Sequence, residues 1–203
     1  MLSKSLIISG ALCALAASLP AQDAKKEIKI DQVDMKVEQQ FTPQINPVNV
    51  VEKRWIPKTW LEAQVNFKAT IATALGGRLG TYPTLEAKYY IALAGTKTPE
   101  GKQIVLTGTI VYKDVPSGDC HLLAYVAPST LKRVLKKEST GKPEIAAFAV
   151  ELSAGGALMG GKSSGGKWWE PADKLAFEDV VLSKDKTPFA PLWGDFDLAA
   201  GSK

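Results

Sequence analysis

The sequence predicts a mainly β protein, in which two antiparallel sheets pack face to face as a sandwich. Apolar and polar side chains alternate over several segments of strand length, and turn-forming residues separate these segments. One segment alone has helical spacing. Because strands and helices do not alternate along the chain, a parallel α/β sheet is excluded. The number and spacing of the strands favour an immunoglobulin-like sandwich with one short helix.

The N-terminal residues 1–21 have the three parts of a secretory signal peptide. Lys4 is the basic start, an apolar run extends from Leu6 to Leu19, and Ala21 precedes the expected cleavage. The run is shorter than the roughly 20 residues that cross a bilayer. We therefore expect an exported protein of the periplasm, outer membrane or medium, without a transmembrane segment after cleavage. Cys13 leaves lipid modification open as an alternative.

The mature chain is expected to form one sandwich domain over residues 22–203, which begins with a mobile tail at residues 22–26. The clearest strand signal lies in residues 61–71, where odd positions are apolar and even positions are polar. Because successive strand side chains point to opposite faces, one face of this segment is expected in the core. Comparable patterns predict strands in residues 85–93, 103–115, 120–126 and 144–152. Weaker patterns do so in residues 27–37, 48–55, 175–182 and 192–198.

One helix is predicted after Pro128, because Leu131 and Val134 recur at helical spacing. Ser129 or Thr130 is expected to cap its N-terminus, and Gly141 to end it. The basic residues of this helix predict either a solvated face or a docking patch for an acidic surface, such as a sulfated or sialylated glycan. These residues are Lys132, Arg133, Lys136 and Lys137.

Composition and charge restrict the possible functions of the chain. Its 203 residues are 45% hydrophobic and 23% charged, which is ordinary for a globular domain. The formal net charge of +4 does not predict nucleic-acid binding without a clustered patch. Cys120 is the single cysteine after residue 21. We expect it to be a small buried residue, with an intermolecular disulfide as the alternative.

Residues 156–163 match the phosphate-loop pattern G-x-x-x-x-G-K-[ST]. That loop needs a helix after it, whose N-terminus holds the phosphate. Two glycines and a proline within the next eight residues oppose a helix. The segment is therefore expected to form a flexible Gly/Ser hairpin loop, and no cofactor is predicted.

Catalytic and metal-binding groups are sparse in the sequence. Cys120 and His121 are adjacent, so on a strand they point to opposite faces and form no dyad, and His121 is expected to be exposed. Asp195 and Asp197 would share one strand face with Trp193. We expect these acids to be solvated, with weak calcium binding or acid–base catalysis as alternatives. No catalytic or metal-binding residue is predicted.

The aromatic pair Trp168 and Trp169 follows the glycine-rich segment. On an extended chain the two side chains would diverge, one toward the core and one toward solvent. Each is a candidate contact for a glycan or a protein partner, because exposed tryptophan stacks on sugars and anchors interfaces. The alternative is that a tryptophan closes one end of the core.

The chain resembles a family of small secreted proteins that are encoded beside type IV pilus-like genes in mucin-dwelling gut bacteria. The residues that carry the resemblance are MLSKSLIISGALCALAASLPA, WIPKTWLEAQVNFKATIATA and GGKSSGGKWWEP. The resemblance implies an immunoglobulin-like sandwich, export to the outer-membrane region, and a role in pilus assembly or host contact. A true pilin keeps an apolar N-terminal helix, whereas polar Gln22 and Asp23 follow the signal here.

The sequence therefore predicts a non-enzymatic structural or interaction protein of the cell surface. Its expected partners are pilus or other envelope proteins, host surfaces or mucin glycans, or a second copy of the chain. Residues 27–55, which include Pro43 and Pro47, are the expected segment for edge-strand pairing. A carbohydrate-binding module and an unrecognised extracytoplasmic hydrolase are the alternatives.

Overall fold

The computed structural model describes residues 21–45, 51, 55–137 and 143–201. The predicted signal peptide thus lies outside the described residues, apart from Ala21. The described chain contains two short α-helices, α1 (Ala21–Glu27) and α2 (Pro128–Leu135), four single-turn 3-10 helices and nine strands. The strands are β1 (Ile28–Phe41), β2 (Thr59–Ile71), β3 (Thr81–Lys97), β4 (Gln103–Pro116), β5 (Gly118–Val126), β6 (Ile145–Ala154), β7 (Ala157–Ser163), β8 (Leu175–Asp179) and β9 (Val181–Ser183).

The strands form two sheets, in the orders β1-β2-β5-β9 and β7-β6-β3-β4-β8. The first, second and fifth strands share one sheet, and the third, fourth, sixth and seventh strands share the other. In a constant-type immunoglobulin domain the fourth strand lies with the first, second and fifth, so the placement of β4 differs from that pattern. β8 and β9 extend the two sheets at their far edges. Every strand pair is antiparallel except β4 with β8, which is parallel. The predicted mainly β sandwich is therefore confirmed, with one parallel pair added.

The core lies between the sheets and takes its side chains from alternate strand positions. In β2 the odd positions from Leu61 to Ile71 are all buried, as the sequence pattern predicts. The opposing face of β3 is buried as well. Inside this apolar layer, the Tyr89 and Tyr112 hydroxyls lie 3.0 Å apart, and Tyr112 also donates to the Leu123 carbonyl. Burial raises the pKa of both tyrosines, which are therefore neutral hydrogen-bonding groups.

The segment 175–182, predicted as one strand, forms two strands in different sheets. β8 pairs with β4, and the Val180 amide then donates to the Thr107 carbonyl before the chain crosses to β5 as β9. At the crossing, Val181 lies against Gly108. A Cβ atom on Gly108 would be 2.5 Å from the Val181 carbonyl oxygen, so the crossing requires glycine there.

Two other strand predictions have different outcomes. Residues 192–198 form turns instead of the predicted strand, and Trp193 has a left-handed backbone with φ of 58°. The prediction was wrong because this segment covers a sheet from outside instead of pairing within it. The predicted strand at residues 48–55 lies mostly outside the described residues, and Val51 and Trp55 are not in a strand.

The glycine-rich segment is a strand, not the flexible loop that the sequence predicted. β6 and β7 are joined by the tight turn Gly155–Gly156, whose φ angles are 52° and 77°, as a two-residue hairpin turn requires. Ladder pairing with β6 holds the segment extended, and Gly160 lies against Ile30 and Val33 of β1. Turns follow β7, so no helix N-terminus is present to hold a phosphate.

The two α-helices differ from the sequence predictions. Residues 22–26 belong to α1 instead of a mobile tail, because Ala24 is buried beside the Gly155 turn. α2 begins after Ala127 without a side-chain cap, and Pro128 takes its first turn. It ends at Leu135, since Lys136 adopts the left-handed conformation, so the helix does not extend to Gly141. Neither helix is long and apolar enough to span a bilayer, in the part of the chain described.

The close approach of Val181 to Gly108 leads to a testable prediction for residue 108. We expect Gly108→Ala to lower the free energy of unfolding by about 1–3 kcal/mol, because the added methyl group forces the crossing away from β4. Urea denaturation measures the change. Gly165→Ala is the matched control, since an added Cβ there meets no atom within 4 Å. Equal stability of the two variants would contradict the proposed tight crossing.

Candidate interaction surfaces

An aromatic layer, formed by Tyr90, Trp168, Trp169 and Phe177, covers the outer face of the five-stranded sheet. The rings of Tyr90 and Trp169 are stacked, with centroids 5.2 Å apart and planes at 25°. Trp168 meets Trp169 edge to face at 5.9 Å, and Phe177 approaches Tyr90 at 6.4 Å. Beneath them lie the buried residues Val105 and Ala149. The layer is thus a small second core outside the sandwich.

Backbone contacts hold the chain over this layer. The amide of Ser164 and the indole Nε1 of Trp168 both donate to the Phe148 carbonyl, at 3.0 and 3.3 Å. The Phe148 amide in turn donates to the Ser164 hydroxyl. Because the chain turns after β7 instead of continuing as a strand, both tryptophan rings reach the same sheet face. The expectation that they diverge toward core and solvent was therefore wrong.

The aromatic layer has a charged border. The Tyr90 hydroxyl donates to Glu151 at 2.8 Å, and the Lys88 ammonium lies 5.4 Å from the Tyr90 ring centroid. Burial, together with Glu151, raises the pKa of Tyr90. One face of Trp169 is occupied by Tyr90, whereas Phe177 is 44% exposed at the margin. Glycan contact through Trp168 or Trp169 stays a prediction.

The basic residues of α2 lie on its outward face. Leu131 and Val134 are buried in the core, which leaves Lys132, Arg133 and Lys136 exposed. Arg133 forms an ion pair with Glu178 of β8, with Nη2 and Oε2 2.5 Å apart. The structure therefore brings these predicted basic residues together at one end of the sandwich, where Glu178 compensates the charge of Arg133.

The outer edge of β1 is a long strand edge. In its first half, a register shift between Asp31 and Asp34 bends the strand, and Gln32 has φ of 55°. The second half, Met35–Phe41, continues in regular register with β2. No described residue pairs with the outer side of that half. An edge of this kind exposes unpaired backbone donors and acceptors.

The connection between β1 and β2 is fastened at its base by Thr42. The Thr42 amide donates to the Lys58 carbonyl at 2.9 Å, and the Thr42 hydroxyl accepts hydrogen bonds from the Lys58 amide and from Trp60 Nε1. Beyond this base the described residues include several exposed apolar side chains. They are Ile45, Val51, Trp55 and Ile56. The sequence reasoning missed this feature, although the apolar residues were visible between Pro43 and Pro57.

The C-terminal residues cover the outer face of the other sheet. Phe189 stacks on Tyr125 at 4.5 Å and meets Trp60 edge to face at 5.7 Å. Phe196 stacks on His121 at 4.3 Å, and His121 Nδ1 lies 2.7 Å from Asn66 Oδ1. The sequence predicted that His121 is exposed. It is half-buried instead, because residues after 184 fold over it.

A nearly buried ion pair joins Lys184 to Asp197 under this covering segment. The side chains are 10% and 7% exposed, respectively. The Lys184 ammonium also lies 6.0 Å from the ring centroid of Trp193. The expected strand face shared by Trp193, Asp195 and Asp197 does not form. Asp195 is exposed as expected, but Asp197 is not solvated, since it compensates Lys184.

Glu62 lies on the same outer face, opposite Tyr125 in the pairing of β2 with β5. Its Oε2 atom and the Tyr125 hydroxyl are both buried, and neither meets the geometry of a hydrogen bond. Burial raises the pKa of Glu62, and the nearby polar groups of Tyr125 and Gln40 oppose this only in part. The carboxyl group is thus a destabilising element when it is ionised.

The remaining candidates for a reactive or binding site are the Cys120 thiol and a surface cleft. Cys120 is buried as predicted, and burial raises the pKa of its thiol to about 11, so the reactive thiolate is disfavoured. A cleft of about 430 Å³ opens at the outer edge of β4, lined by Thr109, Asp179 and Asp185 among others. Within the described ranges, no three His, Cys, Asp or Glu residues are grouped closely enough to hold a metal.

Comparison with known proteins gives a family match and a solved structure of similar fold. The sequence model of a protein family matches residues 21–203. The crystal structure of a protein from Akkermansia muciniphila superposes with a TM-score of 0.74. The two sequences are 22% identical, and the match covers 87% of this chain and 95% of that one. No curated protein sequence matches the chain. The structural likeness shows a shared fold.

The ion pair of Lys184 and Asp197 leads to a first prediction for this site. We expect Asp197→Asn to lower the free energy of unfolding by about 3 kcal/mol, because it leaves the Lys184 charge buried and uncompensated. Asp31→Asn is the matched control. It removes the ion pair of Asp31 with Lys29, whose side chains are 43% and 72% exposed, respectively. This should lower the free energy of unfolding by about 0.5 kcal/mol or less. Equal losses of stability in the two variants, measured by thermal or urea unfolding, would contradict this prediction.

A second prediction concerns the pH dependence caused by Glu62. Its folded-state pKa is raised, so folding favours the protonated form, and this contribution to stability is lost as pH rises above about 4.5. We expect Glu62→Gln to be more stable than the parent at neutral pH, with the difference disappearing below pH 4.5. Urea unfolding at several pH values measures it. A constant difference at all pH values would contradict the assignment.

Proposed function

Since the chain belongs to the protein family whose model matches residues 21–203, we propose that it is a non-enzymatic interaction protein of the bacterial cell envelope. It is exported by residues 1–21 and acts through strand addition at the outer edge of β1. Its partner is an extended segment of an envelope or pilus protein, or β1 of a second copy. Through this pairing the protein takes part in assembly or host contact.

Export is supported by the order of residues at the N-terminus. A basic residue, an apolar run and a small residue occur in the order that secretion requires, and polar residues follow. The two-sheet sandwich supports an interaction role, because such domains present loops and strand edges on a rigid core. The fold shared with the Akkermansia muciniphila protein agrees with this proposal at the level of architecture.

The observation that carries the proposal is the direction of the backbone groups in the second half of β1. The hydrogen bond from the Thr42 amide to Lys58 fixes the alternation along the pair. Even-numbered residues from Lys36 to Gln40 therefore bond to β2. The N–H and C=O groups of Val37, Gln39 and their odd-numbered neighbours point outward, where they can pair with another strand.

The other sheet edges fit this role less well. β8 has five residues and β9 has three, which gives few ladder bonds. β7 has seven residues, and two adjacent glycines weaken it as a pairing surface. β1 has fourteen residues, and its bulge lies in the half that packs beside β7. The half from Met35 to Phe41 is in regular register, and no residue in the described ranges pairs with its outer side.

A proline at Gln39 tests the proposal. Gln39→Pro removes an outward N–H and adds a ring at the open edge, whereas the bonds of β1 to β2 stay intact. Gln39→Ala is the matched control, since both variants lose the side-chain hydrogen bond to Thr59 and only the alanine keeps the N–H. We expect the parent and the alanine variant to be retained in the envelope fraction or to self-associate, and the proline variant to do neither.

Two measurements check this expectation. Sedimentation of the purified protein reports self-association, and fractionation of cells reports retention in the envelope. Circular dichroism establishes that Gln39→Pro remains folded. A folded proline variant that associates and fractionates like the alanine variant would overturn the role of the β1 edge. A parent protein that neither self-associates nor stays with the envelope would overturn the interaction function itself.

A further inference from the structure

One end of the sandwich combines exposed apolar side chains with lysines, and we propose that it binds an anionic lipid surface. The basic end, as we define it, comprises the described residues of the β1–β2 connection (42–45, 51 and 55–58), residues 97–102 at the β3–β4 turn, and residues 128–137 and 143–144, which include α2. In this arrangement the exposed apolar side chains among these residues enter the lipid interface, and the lysines around them contact anionic headgroups. This inference goes beyond strand addition, because it uses side chains at the end of the fold instead of the β1 edge.

The strand topology brings these three segments to the same end. β2 starts at Thr59 and pairs antiparallel with β5, which ends at Val126, so the β1–β2 connection lies beside the start of α2. α2 then crosses from one sheet to the other, with Leu131 and Val134 buried between them. It leads to β6, whose first residue pairs with the last part of β3, next to the β3–β4 turn.

The apolar part of the basic end is unusually exposed. Val51 and Ile56 are 87% and 85% exposed, and Trp55 is 47% exposed. Phe41 and Ile45, on the β1 side of the connection, are also exposed. The contacts of Thr42 with Lys58 and Trp60 fix the base from which these side chains project. Grouped apolar exposure of this kind marks a surface that is covered in use.

The charged part of the basic end is dominated by lysine. Arg133 is compensated by Glu178, and the described acids on these segments are Glu100 and Glu144. The exposed lysines around the connection are more numerous. They are Lys58, Lys97, Lys102, Lys136 and Lys137. An excess of positive charge of this size attracts an anionic surface within a Debye length.

The combination of the two parts selects a lipid surface over other anionic partners. A sulfated or sialylated glycan would satisfy the lysines, but it offers no apolar phase for Val51 and Ile56. A bilayer interface provides both, because acyl chains accept aliphatic side chains and anionic headgroups accept lysine. Tryptophan, here Trp55, prefers the boundary between these two regions. The basic end therefore has the chemistry of an interfacial lipid-binding surface.

Vesicle binding by the purified protein tests the proposal. We expect it to co-sediment with vesicles of phosphatidylcholine and phosphatidylglycerol, to ignore pure phosphatidylcholine, and to dissociate as salt is raised. Ile56→Ser should weaken binding roughly tenfold, since it removes one inserted aliphatic side chain. Lys102→Gln and Lys137→Gln should each weaken it about fivefold, the effect of one basic residue at an anionic surface.

Matched controls lie at the opposite end of the sandwich, in the connection between β2 and β3. Leu79 is 96% exposed and Arg78 is exposed beside it. Leu79→Ser and Arg78→Gln should leave vesicle binding unchanged. All these variants alter exposed side chains, and circular dichroism verifies that each is folded.

Three results would overturn the lipid proposal. The first is an absence of binding to anionic vesicles. The second is an equal loss in Leu79→Ser and Ile56→Ser, which would mean that the basic end is not the surface used. The third is binding to an immobilised sulfated glycan without binding to vesicles. That outcome would assign the lysines to a carbohydrate partner instead.

Discussion

The burial of one complete face of β2 against the five-stranded sheet is the constraint on which the rest of the structure depends. It places the odd-numbered side chains from Leu61 to Ile71 in the core and the polar even-numbered ones outside. The same parity decides which backbone groups of β2 meet β1 and β5. A shift by one residue would invert both faces. The core thus determines the register of the sheet and, through it, the groups that remain open at the β1 edge.

The outer faces of the sheets are closed by chain segments that return from elsewhere. Residues after β7 bring Trp168 and Trp169 over Tyr90, and residues after β9 bring Phe189 over Tyr125. Each segment stacks an aromatic ring on a tyrosine of the sheet, which buries a large apolar area with one side chain. Among the residues that the structure describes, no such segment pairs with the outer side of the second half of β1. The two proposed surfaces adjoin at Phe41.

Sequence patterns predicted the strands better than the side-chain clusters, for a physical reason. The alternation in residues 61–71 and 85–93 reports directly which side chains are buried, because the period of a strand is two. Residues 192–198 show the same alternation, but they form a segment that covers a sheet from outside, in which Phe196 stacks on His121. The aromatic layer and the pair of Lys184 with Asp197 join residues on separate elements. Their association depends on tertiary packing, which no local spacing encodes.

The burial of Cys120 has a practical consequence for anyone who wishes to label this protein. Its sulfur lies in the core, within 3.5 Å of the Pro116 carbonyl, and no other cysteine belongs to the described chain. In a chain that begins at residue 22, and so lacks Cys13, a maleimide dye added to the native fold will therefore find little to react with. A cysteine engineered at a chosen surface position of that chain then becomes the dominant point of attachment, which suits it to single-site fluorescence or spin-probe distance measurements without removal of the Cys120 thiol.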